Sequence, residues 1–246
     1  MRQAIVPAIL PASQEEFERE IALLTHLSLV RRIQIDVVDG HFATPASWPA
    51  TAPHELASRV AKGDRLPALD RIAYEIDLMC LNPERAAEAW VALGASRLTF
   101  HIESVTDPVR LLTNVHAHFG SAGITSDLIT IGLALNIETD TAFLESVVNN
   151  IAYLQLMGIA RIGRQGQPFD RRVVNKVVAC RAKYPDLPIQ IDGGVSVETA
   201  QELLSAGVTD LVVGSRITGA ANPDSEFRKF ADMLDRSQGV TSNQVY

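Results

Sequence analysis

Arg32-Ile33-Gln34-Ile35-Asp36-Val37-Val38 is a short, β-branched, nearly continuous apolar run with two polar side chains at alternate positions. A run of this length and character reads as a strand covered on both faces, the habit of parallel sheets. Alternation puts Gln34, Asp36 and Val38 on one face and Ile33, Ile35 and Val37 on the other. Seven more runs of this kind lie along the chain, at 4–10, 72–79, 97–102, 128–135, 151–157, 187–191 and 210–213. The stretches between them read as helices. Ser13 with Glu16 three residues on forms a capping box. Asn82-Pro83, Asp107-Pro108, Ser196-Val-Glu-Thr and Asn222-Pro223 are helix starts, and Gly94 and Gly207 are stops. Only 40–70, with Pro45, Pro49, Pro53 and Pro67, is irregular, and it predicts a long loop with one short helix.

Eight strand–helix units without a break in composition predict an α/β fold, a single (β/α)8 TIM barrel. The 246 residues match the ~250 that such a barrel usually takes. An open dinucleotide-binding sheet would carry G-x-G-x-x-G after its first strand, and Leu10-Pro11-Ala12-Ser13 does not. The barrel is expected to span 1–236, followed by a polar, loosely ordered tail at 237–246.

Composition narrows the function classes. Hydrophobic residues at 47% and charged residues at 21% are ordinary for a globular protein. A net charge of −7 argues against a nucleic-acid partner. No apolar run nears the ~18 residues of a membrane span, and the start shows no secretory signal. The two cysteines, Cys80 and Cys180, form no disulfide framework, so a cytoplasmic location is expected.

Barrel chemistry gathers at the carboxyl ends of the strands. The outer faces pack on helices, so Gln34 and Asp36 must face the lumen, and Asp77 at the end of the third run does so by the same alternation. His101, Asn136 and Asp192 end the fourth, fifth and seventh runs. Three carboxylates at one mouth repel each other unless a cation or a shared proton compensates. Asp39, followed by Gly40, reads instead as a turn residue. The late loops are rich in glycine: Gly163-Arg164-Gln165-Gly166-Gln167, Gly193-Gly194 and Gly214-Ser215. Loops at these positions bind phosphate through backbone N–H groups and helix N-termini, and Arg164 is placed to add a charged contact.

In this order, the pieces resemble the ribulose-phosphate 3-epimerase family. They are Ile35-Asp36-Val-Val-Asp39-Gly40-His41-Phe42, Asp77-Leu78-Met79 with Asn82-Pro83-Glu84, and Phe100-His101-Ile102-Glu103. Leu133-Ala134-Leu135-Asn136, residues 163–169, Asp192-Gly193-Gly194 and the stretch from Ala206-Gly207 to Gly214-Ser215 complete the set. The resemblance implies a ribulose-phosphate-binding barrel that epimerises a phosphorylated ketose, ribulose 5-phosphate to xylulose 5-phosphate. Asp36 and Asp192 are the implied proton-transfer pair, on strands expected to face each other across the barrel, working through an enediolate beside a divalent metal. It also implies a homo-oligomer. His101, Asn136 and Met79 are further candidate substrate contacts.

The chain departs from the family pattern at Gln34 and Asp77, where the family has metal-binding histidines. Ala8 and Pro11 replace serines, Val38 replaces a methionine, and Arg164-Gln165 stand inside the usual Gly-Phe-Gly-Gly loop. Two outcomes stay open. In one, Gln34, Asp36, Asp77 and Asp192 form an oxygen-only metal set suited to Mg²⁺, Mn²⁺ or Ca²⁺ rather than Zn²⁺. In the other, the usual metal is lost, leaving altered specificity or a sugar-phosphate-binding barrel without turnover. Rival barrel chemistries fit less well. Schiff-base aldolases and related decarboxylases need a strand-end lysine, whereas Lys62, Lys176, Lys183 and Lys229 all fall in or near helices. A His–Glu isomerase pair finds only His101 and Glu103.

Overall fold

The computed structural model describes residues 3–120 and 129–241. Eight parallel strands close into a barrel in sequence order. They are β1 Ala4–Ile9, β2 Arg32–Val38, β3 Ala73–Met79, β4 Arg97–His101, β5 Thr130–Leu135, β6 Tyr153–Met157, β7 Ile189–Asp192 and β8 Asp210–Val213. Each run read from the sequence holds its strand to within two residues, and Leu128, the expected start of the fifth, lies outside the described residues. The helices are α1 Gln14–His26, α2 Pro53–Ala61, α3 Pro83–Leu93, α4 Pro108–Gly120, α5 Arg172–Lys183, α6 Val197–Ser205, α7 Ser215–Thr218 and α8 Pro223–Thr241. Among the described residues no helix is long and apolar enough to cross a membrane.

The helix signals hold with three corrections. Ser13 accepts from the Glu16 N–H at 3.2 Å, but Glu16 reaches back to the Ala12 N–H at 2.7 Å rather than to Ser13 itself. Asn82 makes no side-chain cap, and Pro83 in the first turn starts α3 without one. Between β5 and β6 there is no α-helix among the described residues. Two 3₁₀ helices, Thr141–Ser146 and Val148–Asn150, fill the gap, in a stretch whose Val147-Val148-Asn149-Asn150 are poor helix formers. At the other end α8 runs to Thr241, past the boundary expected at 236, and the tail residues 242–246 lie outside the described residues.

The outward faces of the strands supply the main core. Ile33, Ile35, Ile76, Leu78, Leu98, Leu133, Leu154 and Ile191 are buried against the helix ring. Trp48, fully buried, ties the irregular loop to this shell. Its ring lies 4.6 Å from Phe17 and 5.9 Å from Trp90, and its Nε1 donates to Glu55 at 2.8 Å.

The lumen is different. Barrel interiors are usually packed with branched aliphatics, and here most of the filling is polar: Gln34, Glu75, Asp77, Thr99, Gln155 and Gln190 are all fully buried. At the floor Glu75 accepts from Arg97 at 2.9 Å and Arg32 at 3.3 Å, and Arg32 also reaches Asp210 at 2.7 Å. The Arg97 guanidinium lies 4.1 Å over the Tyr153 ring. That ring fits only because β5 carries a glycine beside it, since a Cβ on Gly132 would stand 2.2 Å from Tyr153 Cζ. Gly132→Ala is therefore expected to destabilise the barrel by about 3 kcal/mol through overpacking. For a chain of this size that lowers Tm by roughly 6–12 °C in a calorimetric scan.

Candidate active site at the barrel mouth

Strand direction stacks the polar lumen from floor to mouth: Arg32, then Gln34, then Asp36 on β2; Glu75 then Asp77 on β3; Gln190 then Asp192 on β7. Oxygens of Asp36, Asp77 and Asp192 all lie within 4.8 Å of one another, and the three side chains are buried. Gln34 bridges two of them, its Nε2 donating to Asp36 Oδ1 at 2.8 Å and to Asp192 Oδ2 at 2.9 Å. Asp77 is held on both sides, Oδ1 by His101 Nε2 at 3.0 Å and Oδ2 by Gln155 Nε2 at 3.0 Å.

Above the acids opens a cavity of about 460 Å³. Of the residues singled out in the sequence, Asp36, Asp192, Met79, Gly163, Arg164, Gly166, Gln167, Gly193, Gly194, Gly214 and Ser215 line it. The start of α6, with its Ser196–Thr199 capping box, and the start of α7 open onto the same space. Gly194 shows why glycine is needed here. Its φ is +69°, and a Cβ would lie 2.6 Å from Phe169 Cα, so the loop after β7 lies close against the loop after β6 only without a side chain.

Two of the lining residues have side-chain nitrogens engaged elsewhere, and three other expected residues lie outside the cavity wall. Gln167 spends its amide bracing its own loop, donating to the carbonyls of Arg161 and of Arg164, the latter at 3.2 Å. Arg164 Nε donates to Thr44 O at 3.0 Å from an exposed position. His101 is fully buried behind Asp77 and is absent from the cavity wall. Asn136 lines a separate hollow with Phe42 and Arg161. Glu103 accepts from the Asn136 N–H at 2.7 Å and from the Thr139 hydroxyl, which makes it a loop brace rather than a base. Asp39 takes the turn role expected of it, accepting from the N–H groups of His41, Phe42 and Leu81. Strands β2 and β7 are separated by β8 and β1, three steps around the ring, so the expectation that they face each other squarely across the barrel is corrected.

Several residues at the site went unread in the sequence. Arg216 lines the cavity, and nothing in its local sequence marks it; Gln165, quoted within the glycine-rich loop but given no role there, lines it too. Gln155 and Gln190 did leave a signal, since each is a lone polar residue inside an apolar run, in lumen phase.

The electrostatics follow from packing like charges in a dry site. Burial, then the charges of Asp192 and Asp77, push the Asp36 carboxyl well above the usual range. Burial and the Asp77 charge push Asp192 up to about 7, against the pull of the Gln34 hydrogen bond and of His101. Burial alone would lower His101, but the Asp77 charge and hydrogen bond raise it. At the floor burial would raise Glu75, yet Arg97 and Arg32 overcome that and hold it low.

The three aspartates fit a hard divalent cation. Two oxygens bound to one such ion at about 2.1–2.4 Å lie no more than roughly 4.8 Å apart, which is the span of the trio. Gln34 does not fit as a ligand. It turns an N–H2 group toward the acids, and an amide nitrogen with two protons has no lone pair to give. The expectation of Gln34 as a fourth oxygen is therefore corrected.

Acids raised in the native state bind protons more tightly folded than unfolded, so stability falls as pH rises from the ordinary carboxylate value toward about 7. His101, raised as well, acts in the same sense. In EDTA, Tm is expected to fall between pH 5 and pH 8 by about 2–4 °C for each kcal/mol lost. Added Mn²⁺ is expected to reverse the fall at pH 8. A flat profile in EDTA would contradict the charge arrangement.

The comparison with known sequences decides the family. The sequence pattern of the Ribulose-phosphate 3 epimerase family matches residues 4–218. The chain belongs to that family. As a member it is an epimerase-type isomerase. It is similar to the ribulose-phosphate 3-epimerase of Mycobacterium leprae, 28% identical over 229 residues covering 92% of each chain. It also resembles that of Eremothecium gossypii, 29% identical over 77% of this chain and 76% of the relative. Among solved structures, KGPDC from Streptococcus mutans superposes with a TM-score of 0.68 at 15% identity, covering 94% of this chain and 97% of that one. The 3-hexulose-6-phosphate synthase of Salmonella typhimurium gives 0.66 at 16% identity, covering 96% and 99%. At that level of identity the likeness is one of fold, the closed eight-stranded barrel.

Proposed function

We propose that this epimerase interconverts ribulose 5-phosphate and xylulose 5-phosphate, with Asp36 and Asp192 exchanging the proton at C3. The observation that supports the reading is that two buried carboxylates with raised affinity for protons line one cavity together with the glycine-rich loops. A proton next to a carbonyl is removed by a base in hydrogen-bond reach, and a carboxylate tuned toward neutral pH serves as base on one face and acid on the other.

These loops would form the cradle that holds the phosphate. Gly193, Gly194, Gly214, Ser215 and Arg216 line the cavity together with the start of α6, and their backbone N–H groups with the Arg216 guanidinium would bind the anion. With the phosphate anchored, the C3–H bond breaks as one aspartate takes the proton, and the electron pair passes into an enediolate. The other aspartate returns a proton to the opposite face of C3. The two acids have then exchanged protonation states, and solvent resets them. Asp36, Asp77 and Asp192 would hold the divalent cation, Mg²⁺ or Mn²⁺ by ligand type. When bound, it supplies positive charge that offsets the negative charge growing on the substrate oxygens.

Incubation of the purified protein with ribulose 5-phosphate and Mn²⁺, followed by proton NMR, should show the xylulose 5-phosphate signals growing to equilibrium. Binding of ribulose 5-phosphate without conversion in any divalent metal would replace this reading with a sugar-phosphate-binding barrel.

A further inference from the structure

Beneath the three acids lies a set of amides whose orientation the structure dictates. Glu75 is a carboxylate flanked by two guanidiniums, Arg97 at 2.9 Å and Arg32 at 3.3 Å, so both of its oxygens are acceptors. The Gln190 atom at 2.5 Å from Glu75 Oε1 must therefore be the amide nitrogen. That same nitrogen lies 2.8 Å from one terminal atom of Gln155 and 3.2 Å from one of Gln34. An N–H2 group cannot accept, so both of those atoms are oxygens; with two protons for three acceptors, the longest contact, to Gln34 at 3.2 Å, is the shared one. The other ends of Gln34 and Gln155 are then nitrogens, and they meet Asp36 at 2.8 Å, Asp192 at 2.9 Å and Asp77 at 3.0 Å. The Gln190 oxygen accepts from Arg32 at 3.4 Å, which agrees with the same direction.

We propose that Gln34 and Gln155 are positioning residues. A one-way hydrogen-bond relay from the Arg32–Glu75–Arg97 floor through Gln190 points both amide N–H2 groups up at the acid trio. Three consequences follow. Gln34, donating to Asp36 and Asp192 from one nitrogen, sets the spacing of the two acids from below. It is kept out of the ligand set of any cation that the aspartates hold. Reversing the relay at its middle would turn both amides over and point their oxygens at the carboxylates, forcing those apart. The direction of the relay stands on the hydrogen bonds alone, whereas its effect on turnover rests on the epimerase reading.

Neutron diffraction from crystals exchanged into D₂O tests the direction without any turnover or metal. Two deuterons are expected on the Gln34 atom that faces Asp36 and Asp192, and two on the Gln155 atom that faces Asp77. Deuterons on the Gln34 atom facing Gln190 would overturn the proposal. Gln190→Glu replaces the donor in the middle of the relay by an acceptor, and in that variant the Gln34 deuterons are expected to face residue 190. Its kcat for ribulose 5-phosphate is expected to fall by about 10²-fold, the scale for a misplaced catalytic group. KM should stay within about twofold, because the phosphate cradle is untouched. A reversed Gln34 with unchanged kcat would overturn the positioning role, and so would an equal effect on both constants. If Gln190→Glu fails to fold, the wild-type deuteron positions still decide the direction. A wild-type protein that shows the expected deuterons yet converts no ribulose 5-phosphate would refute the epimerase reading and leave the relay standing.

Discussion

Asp36→Asn is expected to lower the rate of epimerisation by about 10³-fold, within the range for loss of a general acid–base group, and Asp192→Asn by a similar factor. An amide cannot take a proton from carbon, so conversion falls to that residual level whichever acid is removed. The variants should differ from a simple knockout in one respect. With one carboxylate left, the protein can still remove a proton on the surviving face and return one to the same face. In D₂O, Asp36→Asn should therefore wash deuterium into C3 of one epimer only, and Asp192→Asn into the other, without interconversion. Asp192→Asn also removes a like charge that raises Asp36. In that variant the surviving Asp36 is expected to titrate lower than in the wild type, and its exchange profile should move toward acid pH. Exchange into both epimers by either variant would contradict a division of the two faces between these residues.

The second large effect concerns stability. Arg32→Met removes a guanidinium that reaches Asp210 at 2.7 Å, Glu75 at 3.3 Å and Gln190 at 3.4 Å. Glu75, fully buried, would keep Arg97 and the Gln190 and Thr99 hydrogen bonds, whereas buried Asp210 would lose its ion pair. Breaking a buried ion pair from one side leaves an uncompensated charge, and the cost is about 3–5 kcal/mol. Urea unfolding at pH 7 measures it directly, and a loss below about 1 kcal/mol would mean that the charged floor is not what holds the lumen closed. The pH dependence of that loss has a definite sign. Glu75 is held low in the native state, so its pairing stabilises the protein above the ordinary carboxylate range and fades as pH falls below it. The penalty of Arg32→Met is accordingly largest at neutral pH and shrinks in acid.

The barrel is legible in the sequence because its signal is one-dimensional. Strand phase follows from alternation, and eight apolar runs with helix starts between them leave few other arrangements. Phase alone puts Asp36 and Asp77 in the lumen, and position after late strands marks the cradle glycines. What stays hidden depends on contacts between strands distant in the chain. The residue type of Gln34 allows an oxygen ligand. The choice between its oxygen and its nitrogen is made by Gln190 on β7, Glu75 on β3 and the arginines of β2 and β4. A strand-end position suggests that His101 meets the substrate, yet it sits behind Asp77, outside the cavity. The missing helix between β5 and β6 reflects local propensity, visible in Val147-Val148-Asn149-Asn150 but outweighed by the rhythm of the other units.

The division of labour between the two acids is tested most directly by following wild-type epimerisation in D₂O to about one-tenth conversion, short of any return of product. Two acids on opposite faces predict that the xylulose 5-phosphate formed carries deuterium at C3 while the remaining ribulose 5-phosphate is still protiated. Product that keeps the original proton would mean that a single group carries it across, and Asp36 and Asp192 would then not be the pair that inverts the carbon.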